Sequence, residues 1–299
     1  MQTVLITGAN GFVGNYLSER LAPHLRVLAT GKGDCRLSFN APSLQYRELD
    51  ITDRGAVEIL LKEERPGCII HAAAISKPDL CEQDRALANS VNVDGTRHLL
   101  EYAAGAHFVY LSTDFVFDGE KGFYQEDDAQ APVNYYGETK RIAEELVRSY
   151  EGDWAIVRTV LVYGAPRAGR GNLLTMVADG LRAGKTLRIF NDQLRTPTYV
   201  EDLVEALARI TFERKTGAWH ISGADPRTPY EIAVEVARHL GLNETLIIPE
   251  TEQSFAQPAR RPPKTGFDIN KARRELGYEP VSFEEGLRRT FRVPEEKER

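Results

Sequence analysis

Two textures alternate along this chain: short runs of apolar, often branched residues, and longer stretches with an apolar residue every three or four positions. The first run, Val4-Leu5-Ile6, breaks into glycines at 8, 11 and 14, and an amphipathic stretch over 16–21 follows. That order predicts strand, tight turn, helix. Further strands are expected over 25–29, 46–49, 68–70 and 108–111, with helices over 56–64, 85–104 and 135–147. Strands that alternate with helices predict an α/β fold with a doubly wound parallel sheet, since each parallel crossover must pass over a sheet face. After a strand over 154–157 that continues through 158–163, the texture changes. Helices over 173–183, 200–212 and 230–240 and short strands over 187–189 and 219–222 predict a smaller α/β C-terminal region. The expected division is 1–163 and 164–299, with some later segments returning to the first part.

The glycines carry the first chemical signal. Gly8 allows a sharp turn, Gly11 a close backbone approach to a pyrophosphate, and Gly14 tight packing of helix on strand. Gly8, Asn10, Gly11, Phe12, Val13 and Gly14 are therefore the candidate phosphate cradle of a Rossmann-type dinucleotide site, an ordinary glycine turn being the alternative. About 20 residues further on, an NAD-specific site places an acid against the adenosine ribose. Thr30-Gly31-Lys32 stands there instead, which favours NADP(H) through Thr30 and Lys32, while Asp34 keeps NAD(H) open. Asp50, followed by Ile51, is placed to accept from an adenine amino group, and Asp53 or Thr52 to cap the next helix. Ala72, Ala73 and Ala74 leave room for a flat ligand at a strand end. His71 reads as a hydrogen-bonded structural residue, and Asn92, polar inside a helical pattern, is either solvent-facing or functional.

Composition narrows the classes. The 299 residues are 42% hydrophobic and 27% charged, the balance of an ordinary globular protein, and a net charge of -6 disfavours a nucleic-acid partner. Three scattered cysteines indicate neither a disulfide framework nor a metal site. No apolar run approaches the ~20 residues of a membrane span, and the chain begins with a strand, so a cytoplasmic address is expected.

Hydroxyls in Ser112-Thr113-Asp114 end the fifth strand, where they could hold a substrate carbonyl, and Tyr136 and Lys140 share a helix face four residues apart. The run 7–14, Thr113 and the Tyr136-x-x-x-Lys140 pair together resemble the extended short-chain dehydrogenase/reductases. The run 112–119, the segment 195–199 and Arg261-Pro262 look, more narrowly, like the dTDP-4-dehydrorhamnose reductase group, over nearly the whole chain. That resemblance implies reduction of a 4-keto-6-deoxy nucleotide sugar, with hydride from the nicotinamide and the proton from Tyr136. It implies that Lys140 and the positive ring of the oxidised nicotinamide together lower the phenol, that Lys140 also holds the nicotinamide ribose, that Thr113 bonds the substrate oxygen, and that Asn92 supports the lysine. It places Thr113, Asp114 and Asn172 at the substrate; Arg167, Arg170, Arg195 and Arg261 lie in loops of the C-terminal part that could supply cations to its diphosphate, solvated loop arginines being the alternative. Phe115 stands where the related dehydratases carry a glutamate, and no cysteine matches the epimerising branch, which favours simple ketoreduction, a nucleotide-sugar epimerase or another ketoreductase being the alternative. The resemblance also implies a homodimer through helices 85–104 and 132–147, and its group includes a non-catalytic partner of methionine adenosyltransferase.

The cofactor preference is checked by measuring Kd for NADPH and NADH in the parent and in Lys32→Ala. NADPH should bind more tightly and lose more on substitution; equal affinities in the parent would defeat the preference.

Overall fold

The apolar runs lie side by side as one sheet. In the computed structural model, which describes residues 3–167, 171–254 and 257–292, seven parallel strands follow the spatial order β10-β6-β5-β4-β1-β2-β3. These are β1 (Thr3–Thr7), β2 (Arg26–Gly31), β3 (Leu44–Glu48), β4 (Cys68–His71), β5 (His107–Thr113), β6 (Trp154–Thr159) and β10 (Gly217–His220). The expected doubly wound α/β sheet is therefore present. Its order reverses between β1 and β4, which pair from Val4↔Cys68 to Thr7↔His71, and ligands of such sheets bind at that reversal.

Alternation along each strand explains why both faces need helices. Val4, Ile6, Val27, Ile70 and Val157 pack on one face with α1 (Phe12–Leu21) and α8 (Val200–Phe212). Leu5, Leu28, Ile69, Phe108 and Ile156 pack on the other with α2 (Arg54–Glu64), α5 (Gly95–Tyr102) and α6 (Tyr135–Arg148). A third cluster is made by α7 (Leu173–Arg182), α9 (Pro229–His239) and α11 (Phe283–Thr290), with β8 (Leu187–Phe190) paired to β11 (Ile247–Glu250). Strand β10, helix α8 and α10 (Asn270–Leu276) return to the large sheet.

Two expected elements differ. The helix over 85–104 is preceded by α3 (Pro78–Gln83) and is divided into α4 (Arg85–Asn89), a wider π-turn at Ser90–Asp94, and α5. The extra residue of such a turn releases a side chain from helical stacking, and here that residue is Asn92. The strand expected to continue through 163 stops at Thr159, because Leu161 adopts a left-handed φ of 35°. Beyond it β7 (Val162–Tyr163) pairs with β9 (Thr198–Tyr199) in a small separate sheet. Cys68 and Cys81 are buried free thiols and Cys35 is exposed. Among the described residues no helix is long and apolar enough to cross a membrane, and no group of acidic, His and Cys side chains could hold a metal.

One buried ion pair joins α6 to the sheet. Arg158 on β6 donates Nε and Nη2 to Glu144 of α6 at 2.9 and 2.8 Å, and both side chains are essentially inaccessible. Burial alone would raise the Glu144 carboxyl, and the Arg158 bonds hold it below its usual range. Arg158→Met should lower stability by about 3 to 5 kcal/mol by stranding that carboxylate, as read from the urea midpoint. A loss under about 1 kcal/mol would mean that Arg148, 2.8 Å from the same carboxylate, suffices.

Candidate active site

Four strand ends converge at the reversal. After β1 the chain turns at Gly8 (φ +72°), where a Cβ would sit 2.7 Å from the Ala73 amide nitrogen. A Cβ on Gly14 would overlap the Gly8 carbonyl oxygen, so only glycine lets α1 start pressed against the turn. The N-cap of α1 is Gly11, which contributes no side chain, and half-buried Phe12 and Val13 flank it in the first turn. A helix start left uncapped beside a Cβ-free turn fits a pyrophosphate. Ala72, Ala73 and Ala74 follow β4 with partial exposure and form the opposite wall.

The adenosine side is built differently from expectation. Asn10 turns its amide away from the cradle: Nδ2 donates to the Asp34 carbonyl (2.9 Å) and the Tyr46 hydroxyl (2.8 Å), and Oδ1 accepts from the Arg36 amide (2.8 Å). Its part in a ligand site is therefore to organise the loop after β2. Thr30 is fully buried and donates to the Ile6 carbonyl at 3.1 Å, so it is not available to a 2'-phosphate. Lys32 and Asp50, assigned to different parts of the cofactor, pair with each other at 2.8 Å, and Asp50 also accepts from the amide and hydroxyl of Thr52. The Ile51 carbonyl lies 3.1 Å from His98 Nδ1. Asp53 accepts from the Ala56 amide and caps α2. Sequence reasoning missed Arg36, whose backbone is held on the turn by Asn10 and Asn15 and whose side chain is exposed. The signal available was an arginine in the short loop after β2.

Thr113, Tyr136 and Lys140 are buried together. A Cβ on Gly137 would strike the Phe115 carbonyl oxygen, so glycine lets the first turn of α6 lie against the end of β5. Asn134 caps that turn by accepting from the Gly137 amide at 2.9 Å, and its own amide donates to the Arg260 carbonyl at 2.7 Å. Tyr136 is thereby brought to the Thr113 hydroxyl. Thr113 itself donates to Asp114 Oδ1 at 3.0 Å and accepts from the Phe115 amide at 3.2 Å. Asp114 is buried and also accepts from Thr265, so the carboxylate expected at the substrate is engaged in holding the two threonines. Lys140 donates Nζ to the Leu111 carbonyl at 2.8 Å and lies 4.0 Å from the centre of the Tyr110 ring. Asn92 is buried: Oδ1 accepts from the Ile75 amide at 2.8 Å, and Nδ2 donates to the Ile75 carbonyl (3.1 Å) and to Thr139 Oγ1 (3.0 Å). It therefore clamps the segment after β4 to the residue beside Lys140.

The substrate-side residues are less free than expected. Asn172 caps α7, accepting from the Leu174 and Thr175 amides and donating to the Gly164 carbonyl at 2.7 Å, so its amide is largely occupied. Arg261 forms a bidentate pair with Asp79 on α3 at 2.5 and 2.8 Å. Arg167 lies on the Tyr16 ring, 3.6 Å from its centre, and pairs with Glu19. Arg170 lies outside the described residues. Arg195 is buried and donates to the Leu194 and Pro263 carbonyls, with its guanidinium 5.8 Å from the Phe115 ring centre. It is the member of the set that stays beside Asp114.

Comparison with known proteins decides the family. The model of the RmlD substrate binding domain family matches residues 1–294. The chain belongs to that family. The chain is 33% identical over 287 residues to dTDP-4-dehydrorhamnose reductase of Streptomyces griseus, covering 93% of this chain and 88% of the relative. It is 31% identical over 297 residues to methionine adenosyltransferase 2 subunit beta of Xenopus laevis, covering 96% and 86%. Among solved structures, dTDP-4-dehydrorhamnose reductase from Bacillus anthracis in complex with NADP superposes with a TM-score of 0.84 at 30% identity, covering 97% and 99%.

In this RmlD-family chain, burial moves the two central ionisable groups in opposite directions. It pushes the Tyr136 phenol well up, with Asp114 and Cys81 adding to the rise and Thr113 opposing it. The lowering of the phenol expected from Lys140 is thus not what the structure shows, since that ammonium is turned to Leu111. Burial pulls Lys140 itself down from 10.5 to about 7, against the smaller upward effect of Glu144. Between those two values the unfolded chain binds a proton that the folded chain has lost, so stability should rise with pH across that window. Relative to Lys140→Met, the parent should gain up to ~1.4 kcal/mol per pH unit above pH 7, measured by urea unfolding. A difference independent of pH would show that the lysine stays charged throughout.

Proposed function

We propose that this protein is an NADPH-preferring reductase of a 4-keto-6-deoxy nucleotide sugar of the dTDP-4-dehydrorhamnose type. The observation that carries the reading is the joint burial of Thr113, Tyr136 and Lys140 at the strand ends beside a glycine cradle. A bound reduced nicotinamide supplies hydride to the substrate carbonyl carbon. Tyr136, whose phenol burial keeps protonated at neutral pH, donates its proton to the carbonyl oxygen. Thr113 gives a hydrogen bond to the same oxygen as charge develops, which requires its hydroxyl to turn from Asp114 Oδ1. Lys140, brought by burial to about 7 and so about half charged at neutral pH, would reprotonate the site from its ammonium form and bond a ribose hydroxyl. This reading assigns Arg195 to the substrate diphosphate, and Lys32 with the exposed Arg36 to the adenosine 2'-phosphate. The name of the Streptomyces griseus relative and the NADP of the Bacillus anthracis structure support the substrate and cofactor.

A second reading has its own support. The Xenopus laevis relative is named as a subunit of methionine adenosyltransferase, which points to a cofactor-binding regulatory chain. The intact Thr113, Tyr136 and Lys140 set favours catalysis, since binding alone has less need of it.

Adding dTDP-4-keto-6-deoxyglucose to protein and NADPH should oxidise the cofactor, and Tyr136→Phe should lower turnover by ~10²-fold or more while leaving NADPH affinity nearly unchanged. Near-normal turnover in that variant would refute the role given to Tyr136. Cofactor binding without turnover on any ketosugar would transfer support to the regulatory reading.

A further inference from the structure

A buried row of hydroxyls around one imidazole crosses the strand reversal beneath the glycine turn, and the chemistry above makes no use of it. His71, the last residue of β4, is 1% exposed. Its Nδ1 lies 2.7 Å from Thr7 Oγ1 and its Nε2 3.0 Å from Thr96 Oγ1. Thr96 donates its hydroxyl proton to the Asn92 carbonyl at 2.7 Å. A hydroxyl has one proton, so Thr96 can only accept from His71, and Nε2 must carry the hydrogen. A neutral imidazole has one N–H, so Nδ1 is bare and accepts from Thr7. Thr7 Oγ1 in turn accepts from the Ala73 amide at 3.3 Å. Each link fixes the direction of the next.

The row therefore runs from the Ala73 amide through Thr7, His71 and Thr96 to the carbonyl of Asn92. The side chain of that same asparagine grips both backbone groups of Ile75 and holds Thr139 beside Lys140. Residues 72–75, against which the Gly8 turn rests, are thus held at both ends by one residue of the π-turn. Phe108 and Tyr110 wall the imidazole at ring distances of 6.0 and 5.5 Å. Burial and, secondarily, the Lys140 charge pull its pKa down to about 3.

The geometry points to His71 as a positioning residue: locked as the Nε2–H tautomer, it sets the Ala72–Ala74 edge of the dinucleotide site and ties that edge to the helix bearing Lys140. The role rests on the cofactor reading given above, whereas the tautomer does not depend on it.

Side-chain nitrogen NMR of the full-length protein, with His71 assigned by its loss on substitution, reads the tautomer directly. Nε2 should be protonated and Nδ1 bare throughout ~pH 5 to 8. Two variants divide the row. In His71→Asn the amide oxygen stands where Nδ1 was and keeps the Thr7 link; in His71→Gln the amide nitrogen reaches the Nε2 position and keeps only the Thr96 link. His71→Gln should raise the NADPH Kd about tenfold and His71→Asn less, with kcat at saturating cofactor changed by no more than roughly twofold. An Nδ1–H tautomer, an imidazole that titrates in that range, or a folded His71→Gln with the parent's NADPH affinity would overturn the assignment. Should neither variant fold, the tautomer of the parent decides it. Failure of the parent itself to bind NADPH would instead count against the reductase reading.

Discussion

The attachment of α6 to the ends of β5 and β6 is the constraint on which the site depends. Tyr136 and Lys140 have useful positions only because their helix is pinned along its length. Asn134 and Gly137 bring its first turn onto Phe115, and Lys140 reaches the Leu111 carbonyl. One turn later Glu144 accepts from Ser112 at 2.6 Å and pairs with Arg158. A buried ion pair is a poor source of net stability, because desolvation offsets most of its attraction. It is a good source of geometry, since the pair is satisfied in one arrangement only.

That same burial governs the electrostatics. Removing water from a phenol and an ammonium favours the neutral form of each, so one value rises and the other falls. The result is a site whose two titratable groups both lean toward neutrality near pH 7. In the reaction proposed above, proton donation would leave the phenol an anion in an apolar enclosure, where a nearby cation would stabilise it. On the proposed reading that cation is Lys140, which is held at the Leu111 carbonyl of β5.

Much of this was legible in the sequence, and the rest failed for identifiable reasons. The strands, the glycine turn and α8 could be read because period and turn chemistry are local properties. Helix 85–104 looked unbroken because the π-turn at Ser90–Asp94 carries no proline or glycine to mark it. The strand beyond Thr159 looked continuous because nothing local marks a left-handed leucine at 161. Arg261, Asn172 and Thr30 were read as ligand contacts, yet each has a partner fixed by the tertiary fold: Asp79, the start of α7, and the Ile6 carbonyl. A cation in a loop does not announce which distant carboxylate will claim it. His71 was read as structural, and the hydrogen bonds on both of its nitrogens give that word content.

The return of α8, β10 and α10 to the large sheet has a consequence for how the molecule can accommodate a ligand. The chain leaves the large sheet and its helices at Leu161, comes back, departs for α9 and comes back again. Several covalent strands therefore bridge the two halves in parallel, like stitches along a seam. Any hinge between the halves would therefore have to turn the backbone at each of those crossings together.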